Sequence, residues 1–250
     1  IQAELSWQNH QVDIINQAQL AFIANTDPRA AFDALLAGLL DLADSEYGFI
    51  GEVLHAADGS PYLRTHAISN IAWDETTRKF YAEHAPQGME FTNLDTLFGA
   101  ALRTGEPVIA NDPAGDSRSG GIPSGHPPLN AFLGIPLYAG RHLVGLAGIA
   151  NRAGGYDTQL IELLKPFMTT CANLIAEHRN EQQRIAAEGL VKHKELRLRA
   201  VLDNVLESII TIDRHGIVQS VNPSSVQVFG YEPDEMVGQN VKMLMPEPHR

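Results

Sequence analysis

Cysteine is nearly absent from this 250-residue chain, where Cys171 stands alone. A single thiol excludes an internal disulfide and a multi-thiolate zinc site within one chain, and it fits a cytoplasmic location. Positive charge is also scarce: 18 Lys and Arg face 30 Asp and Glu, for a formal net charge of -12. An acidic surface is repelled by nucleic acid and by anionic membranes, so neither is an expected partner. No apolar run approaches the roughly 20 residues of a membrane span, and the start carries no charged-then-apolar signal segment. The phosphate loop, the Gly-x-Ser-x-Gly elbow and paired helical histidines are missing too, and no Asp/Glu pair is tied by motif to acid-base work. Neither catalysis nor a metal is expected of these residues. The chain opens on Ile1 and its last stretch reads as the middle of a domain, so it is expected to be a fragment. What it does have is 44% hydrophobic residues, enough for one or two buried cores.

Periodicity divides the chain. Val12, Ile15, Leu20 and Ile23 recur at helical spacing over residues 11–23, and Asp27 with Pro28 supplies an N-cap and first-turn proline for a helix over 28–42. Strand-like runs at 47–54 and 62–69 flank a turn-rich connection and predict a hairpin. A polar helix over 74–84, an extended piece at 88–91, a helix over 94–103 and a strand at 108–110 follow. Residues 111–128 hold four glycines and four prolines with no period, which predicts an ordered loop or lid. A second hairpin pairs 132–138 with 142–150, and Asp157 is placed to cap a last helix. There Leu160, Leu164, Phe167, Cys171, Leu174 and His178 keep three-four spacing, and Ile185, Val191, Leu198, Val201 and Val205 carry an imperfect stripe onward. The stripe is either a parallel dimer seam or the inner face of a helix lying on its own domain, and Gly189 interrupts a continuous coiled coil. Past residue 207 a hairpin, 208–213 and 217–221, leads to Asn222-Pro223 capping a short helix, with further short elements at 233–237 and 241–245.

The order of elements is that of an α+β (mixed α/β) fold, and over residues 16–179 it resembles the GAF domain. Gly134-Ile135-Pro136-Leu137, Leu143-Val144-Gly145-Leu146 and Asn151-Arg152 carry the likeness, with Gly125-His126-Pro127-Pro128-Leu129 ahead of them. The resemblance implies an antiparallel sheet with flanking helices, preceded by an N-terminal helix at 1–15 and followed by a connector helix at 180–200. Residues 201–250 resemble the first part of a PAS domain through Ile212-Asp213, Asn222-Pro223, Phe229-Gly230-Tyr231 and Gly238-Gln239-Asn240-Val241. The run from Met243 to Arg250 is similar to oxygen-sensing haem PAS kinases, in which the iron-binding histidine lies further on; His249 precedes that position. The resemblance thus implies haem or flavin for an intact PAS domain and no cofactor for the residues present.

These likenesses imply the sensory region of a bacterial signal-transduction protein, a homodimer through its helices, which binds a small-molecule effector and drives an output domain in the same chain. A diguanylate cyclase or phosphodiesterase of cyclic-di-GMP is the first expectation for that output, and a histidine kinase the alternative. A GAF/PAS dimerisation module that binds nothing is a rival. A free-methionine-sulfoxide reductase would need a set of cysteines that Cys171 alone does not provide.

Candidate site residues follow from the GAF likeness. Phe49, His66 and Phe132 on the strands, with Trp73 and Phe91, are expected to line a ligand cavity, the alternative being ordinary core. Arg118 and His126 in the lid are placed to meet a small anionic or polar ligand, or merely to shape the loop. The Asn151-Arg152 and Tyr156 pattern imitates cyclic-nucleotide receptors, but their acidic pair falls here on Leu160 and Ile161. Asn151 is then expected to close a turn, Cys171 to pack in a helix face, and His178 and His193 to be solvated.

Overall fold

A computed structural model describes residues 2–23, 28–69, 79, 81, 83, 87–121 and 127–246. The caps and helix expected at Asp27 and across 74–84 lie largely outside them. Contacts divide the chain into two units, Ile1–Asn180 and Glu181–Arg250.

The first unit opens with α1 (Gln2–Ile23), which begins nine residues before the periodicity predicts and runs unbroken through residue 15. Trp7, Ile14, Ile15 and Phe22 turn it onto the core, and Gln11 Nε2 donates to the Leu163 carbonyl at 3.1 Å. The helix α2 (Pro28–Leu42) buries Phe32, Leu35, Leu36 and Leu39 along one stripe. Strands β1 (Tyr47–His55), β2 (Pro61–Ile68), β3 (Glu90–Phe91), β4 (Val108–Ala110), β5 (Phe132–Ala139) and β6 (His142–Ala150) form one sheet in the order β3-β2-β1-β6-β5-β4. Every neighbouring pair is antiparallel.

Each face of the sheet has its own core. On one face α1, α2 and the first half of α4 (Thr158–Asn204) cover Ile50, Ala67, Leu133, Ile135, Leu137 and Ile149. On the other, α3 (Leu97–Thr104) covers Val53, Leu63, Val108, Phe132 and Leu146. Thr96 caps α3 through its side chain, which accepts from Gly99 N, and Gly105 ends the helix in the left-handed region.

The helix α4 is a single 47-residue element. At 1.5 Å per residue it extends about 70 Å. Asp157 Oδ1 accepts from Leu160 N at 2.8 Å and starts it, as the sequence predicts. It also continues through Gly189, where a break in the pattern had been expected. Arg184 bridges Glu181 and Glu188 on its exposed side, and such three- and four-residue pairs offset part of glycine's cost of about 1 kcal/mol.

In the second unit, β7 (Ile210–Ile212) and β8 (Val218–Val221) make a hairpin whose turn is organised by Asp213, which accepts from His215 N and Ile217 N. There follow α5 (Pro223–Phe229), α6 (Pro233–Met236) with a Glu232/Glu235 capping box, and a 3-10 turn at Val241–Leu244. Asn222 ties this unit together. Its side chain accepts from Ile209 N and Ser225 N, and donates to the carbonyls of Leu202, Val205 and Glu207 at the end of α4.

Candidate functional site

The α3 face of the sheet carries three of the residues expected to line a cavity. Phe49 on β1, Phe91 on β3 and Phe98 on α3 form a ring triangle with centroids 5.6 to 6.2 Å apart. Phe132 borders the same core. Two glycines make room beneath: a Cβ at Gly148 would stand 2.5 Å from the Phe49 ring, and one at Gly134 would stand 3.0 Å from Phe132. The three rings of the triangle are half-buried, so this face presents aromatic surface rather than charge. Phe98 was missed by the sequence because it sits on a helix, where strand alternation offers no guide.

Among the other candidates, Arg118 is held within its own loop. It grips Asp116 through Nε and Nη2 at 2.9 and 2.6 Å, and Nη2 also donates to the Ile109 carbonyl at 3.2 Å. Hydrogen bonds from Arg118, outweighing desolvation, pull the Asp116 carboxyl down to about 2. Trp73 and His126 lie outside the described residues.

His66 lies on the opposite face, away from Phe49, Phe91 and Phe132. Counting back from Ile68, which pairs with Phe49, alternation would turn His66 to the α3 side. The register slips between Ile50 and Gly51, however, so that Ile50 pairs with Ala67 and Gly51 with Thr65, which leaves His66 as an extra residue. The bulge turns it toward the helices. Its ring stacks on Phe32 at 4.3 Å and meets His178 edge-on at 5.3 Å. Burial depresses its pKa to about 3, helped by the charges of His178, Arg179 and Arg64, so it is neutral. Its Nε2 is buried without a hydrogen-bond partner, 3.9 Å from Glu52 Oε1. His178, expected to be solvated, is half-buried in this cluster, because the turn of α4 that carries it lies on the sheet.

Glu52 and Arg179 complete the cluster. Arg179 Nη2 donates to Glu52 Oε2 at 3.2 Å and to the carbonyls of Val53 and Val144 at 2.8 and 3.3 Å. Val144 is itself the extra residue of a second irregularity, between Leu137 and Tyr138. One guanidinium thus joins the last turn of the first unit to two strands. The available sequence signal was Glu52 itself, the one charge within the strand run 47–54.

At the end of the sheet an open pocket of about 450 Å³ is lined by Glu46, Asn111, Asn130, Asn151, Arg152 and the 153–155 backbone. Asn151, at φ 61°, closes the turn as expected, accepting from Asn130 N and donating to Glu46 Oε2 and the Pro128 carbonyl. Cys171 is fully buried and desolvation pushes its thiol up, which makes it a packing residue. Among the described residues no group of three His, Cys, Asp or Glu is placed to hold a metal ion, and no helix is long and apolar enough to cross a membrane.

A mixed fold of this kind, with two-sided sheet, capping helix and long exit helix, defines a class that comparison with known proteins makes specific. Residues 25–176 match the family model described as GAF domain, and residues 196–250 match the one described as PAS fold. The chain belongs to the GAF family, with the PAS fold following in the same chain. Sensor protein FixL of Bradyrhizobium diazoefficiens is 32% identical over 105 residues, which is 42% of this chain and 21% of that protein. The methyl sulfide methyltransferase-associated sensor of Methanosarcina acetivorans is 31% identical over 106 residues, 42% of this chain and 11% of its own length. The chain therefore matches only a minor part of each. The GAF domain of a phosphoenolpyruvate-protein phosphotransferase from Coxiella burnetii superposes with a TM-score of 0.54 at 15% identity, covering 70% of this chain and 97% of that one, which supports the fold alone.

Proposed function

We propose that the chain is the sensory region of a signal-transduction protein, in which a small effector held on the α3 face of the GAF domain alters the packing of α4. Residues 16–179 would sense, 180–200 connect, and 201–250 receive the signal. The observation that carries this reading is the two-sidedness of β1. Phe49 and Val53 point to the α3 face, while Glu52 between them holds Arg179 at the last turn of the helix in the first unit. A ligand that prefers one setting of β1 therefore biases the helix as well, and a differential affinity of a few kcal/mol is enough to shift the population.

The two relatives named above are both called sensors, and one is FixL. Together with the resemblance of the Met243 run to haem PAS kinases, this favours a histidine kinase as the output over cyclic-di-GMP turnover, which rests on association only. Haem forms no part of the proposal for the described residues.

The second reading is a homodimeric spacer, favoured by the exposed Ile185, Val191, Leu198 and Val201 on α4. Native mass spectrometry of the purified chain, run beside sedimentation, separates the two. A retained small molecule that is lost in Phe98→Ala, which removes one ring of the triangle, supports sensing. A dimer that retains nothing supports the spacer.

A further inference from the structure

The pocket at the end of the sheet belongs to neither the α3 face nor the Arg179 junction, and its walls are built before any ligand arrives. Asn111 grips the Tyr156 backbone on both sides, donating to its carbonyl at 2.9 Å and accepting its N–H at 2.8 Å. Gly155, at φ 81°, passes so close to Asn111 that a Cβ would stand 2.6 Å from Oδ1. Asn151 is likewise saturated by Asn130, Pro128 and Glu46. These amides are fixed wall, not free donors, and a fixed wall reduces the ordering cost of binding.

Two charged groups of opposite sign remain. Arg152 spends Nη1 on the Gly155 carbonyl at 3.1 Å, its Nε is buried with no acceptor, and among the described residues it forms no ion pair with a carboxylate. A half-buried guanidinium that lines a pocket without a carboxylate partner is a seat for a ligand carboxylate, since the planar fork takes two oxygens at once. Glu46 uses Oε2 for Asn151, and among the described residues Oε1 accepts nothing. A carboxylate oxygen open to the same pocket is the partner of a ligand ammonium. The volume of about 450 Å³ is within the range of small-molecule sites.

The geometry points to a second binding site in the GAF domain, for an α-amino-acid zwitterion, with Arg152 receiving the carboxylate and Glu46 the ammonium. It sits between the head of β1 and the segment that leads through Tyr156 and the capping Asp157 into α4.

Calorimetric titration of the whole chain with L-alanine, L-leucine, L-glutamine and L-glutamate, and with propionate and ethylammonium as half-molecules of alanine, tests this. At least one amino acid is expected to saturate the site below about 10 mM, with each half-molecule at least tenfold weaker than L-alanine or silent. Arg152→Gln is expected to weaken the amino acid at least tenfold, and Arg152→Lys to restore it only in part. Glu46→Gln weakens the amino acid while leaving propionate unchanged, and Phe49→Ala, on the α3 face, leaves it within twofold. Should Arg152→Gln fail to fold by its melting curve, the surface variant Glu46→Gln decides. Absence of saturation by all four amino acids, or binding that both site variants leave intact, overturns the assignment.

Discussion

The two halves of α4 obey similar sequence rules and meet opposite fates. From Leu160 to Ile175 the stripe residues Leu164, Phe167 and Cys171 are fully buried against the sheet. From Glu181 onward Ile185, Val191, Leu198 and Val201 are each more than half exposed. Three-four spacing specifies a face, then, but not what covers it. In the first half the cover is the six-stranded sheet, and Arg179 fastens the last turn to it.

Substitutions along the helix should divide at that point. The largest effect is expected at Phe167→Ala, which leaves a cavity in the first unit and costs about 3–5 kcal/mol in urea denaturation. Asn222→Ala strips six hydrogen bonds, three of them to carbonyls at the end of the outer half, and because several of those partners are half-buried the second unit should lose about 2–3 kcal/mol, read as a drop in its melting transition. Arg179→Ala removes the partner of buried Glu52 from a side chain that is itself 29% exposed, so solvent moderates the loss to about 1–2 kcal/mol.

His66 gives the junction a pH signature. Its folded pKa, about 3, lies below the ordinary 6.5, so the unfolded chain takes the proton first as pH falls. Stability from this group is complete above 6.5 and declines between 6.5 and 3, by at most about 1.4 kcal/mol per pH unit. Urea midpoints measured against pH should show a shallower acid slope in His66→Gln than in the wild type. The smallest effect is expected from Ile185→Ser, within about 0.5 kcal/mol on the first unit, because Ile185 is 51% exposed and lies outside that unit's core. A large loss there would erase the contrast between the halves.

Much of this fold was legible. Alternation and turn residues located both hairpins of the sheet, the Gly/Pro content marked the irregular stretch at 111–121, and Asp157 and Asn222-Pro223 marked helix starts. The pairing slip at His66 was not legible, because a bulge depends on strand register and leaves no trace in composition. For that reason His66 joins the helices, while Phe49, Phe91 and Phe132 share the core of the other face. The roles of Glu52 and Arg179 depend on the carbonyls of Val53 and Val144, the latter the extra residue of a strand irregularity that only the paired sheet reveals. Asn222 was recognised as a cap, but its grip on the end of α4 required knowing where that helix stops.

The central claim is that β1 communicates with α4 through Glu52. Amide hydrogen exchange along α4, compared between the wild-type chain and Glu52→Gln, tests it most directly. The account predicts exchange at least about tenfold faster over residues 176–184 in the variant, with 160–167 unchanged. Equal exchange in both proteins, or a loss of protection spread evenly through the first unit, would contradict it.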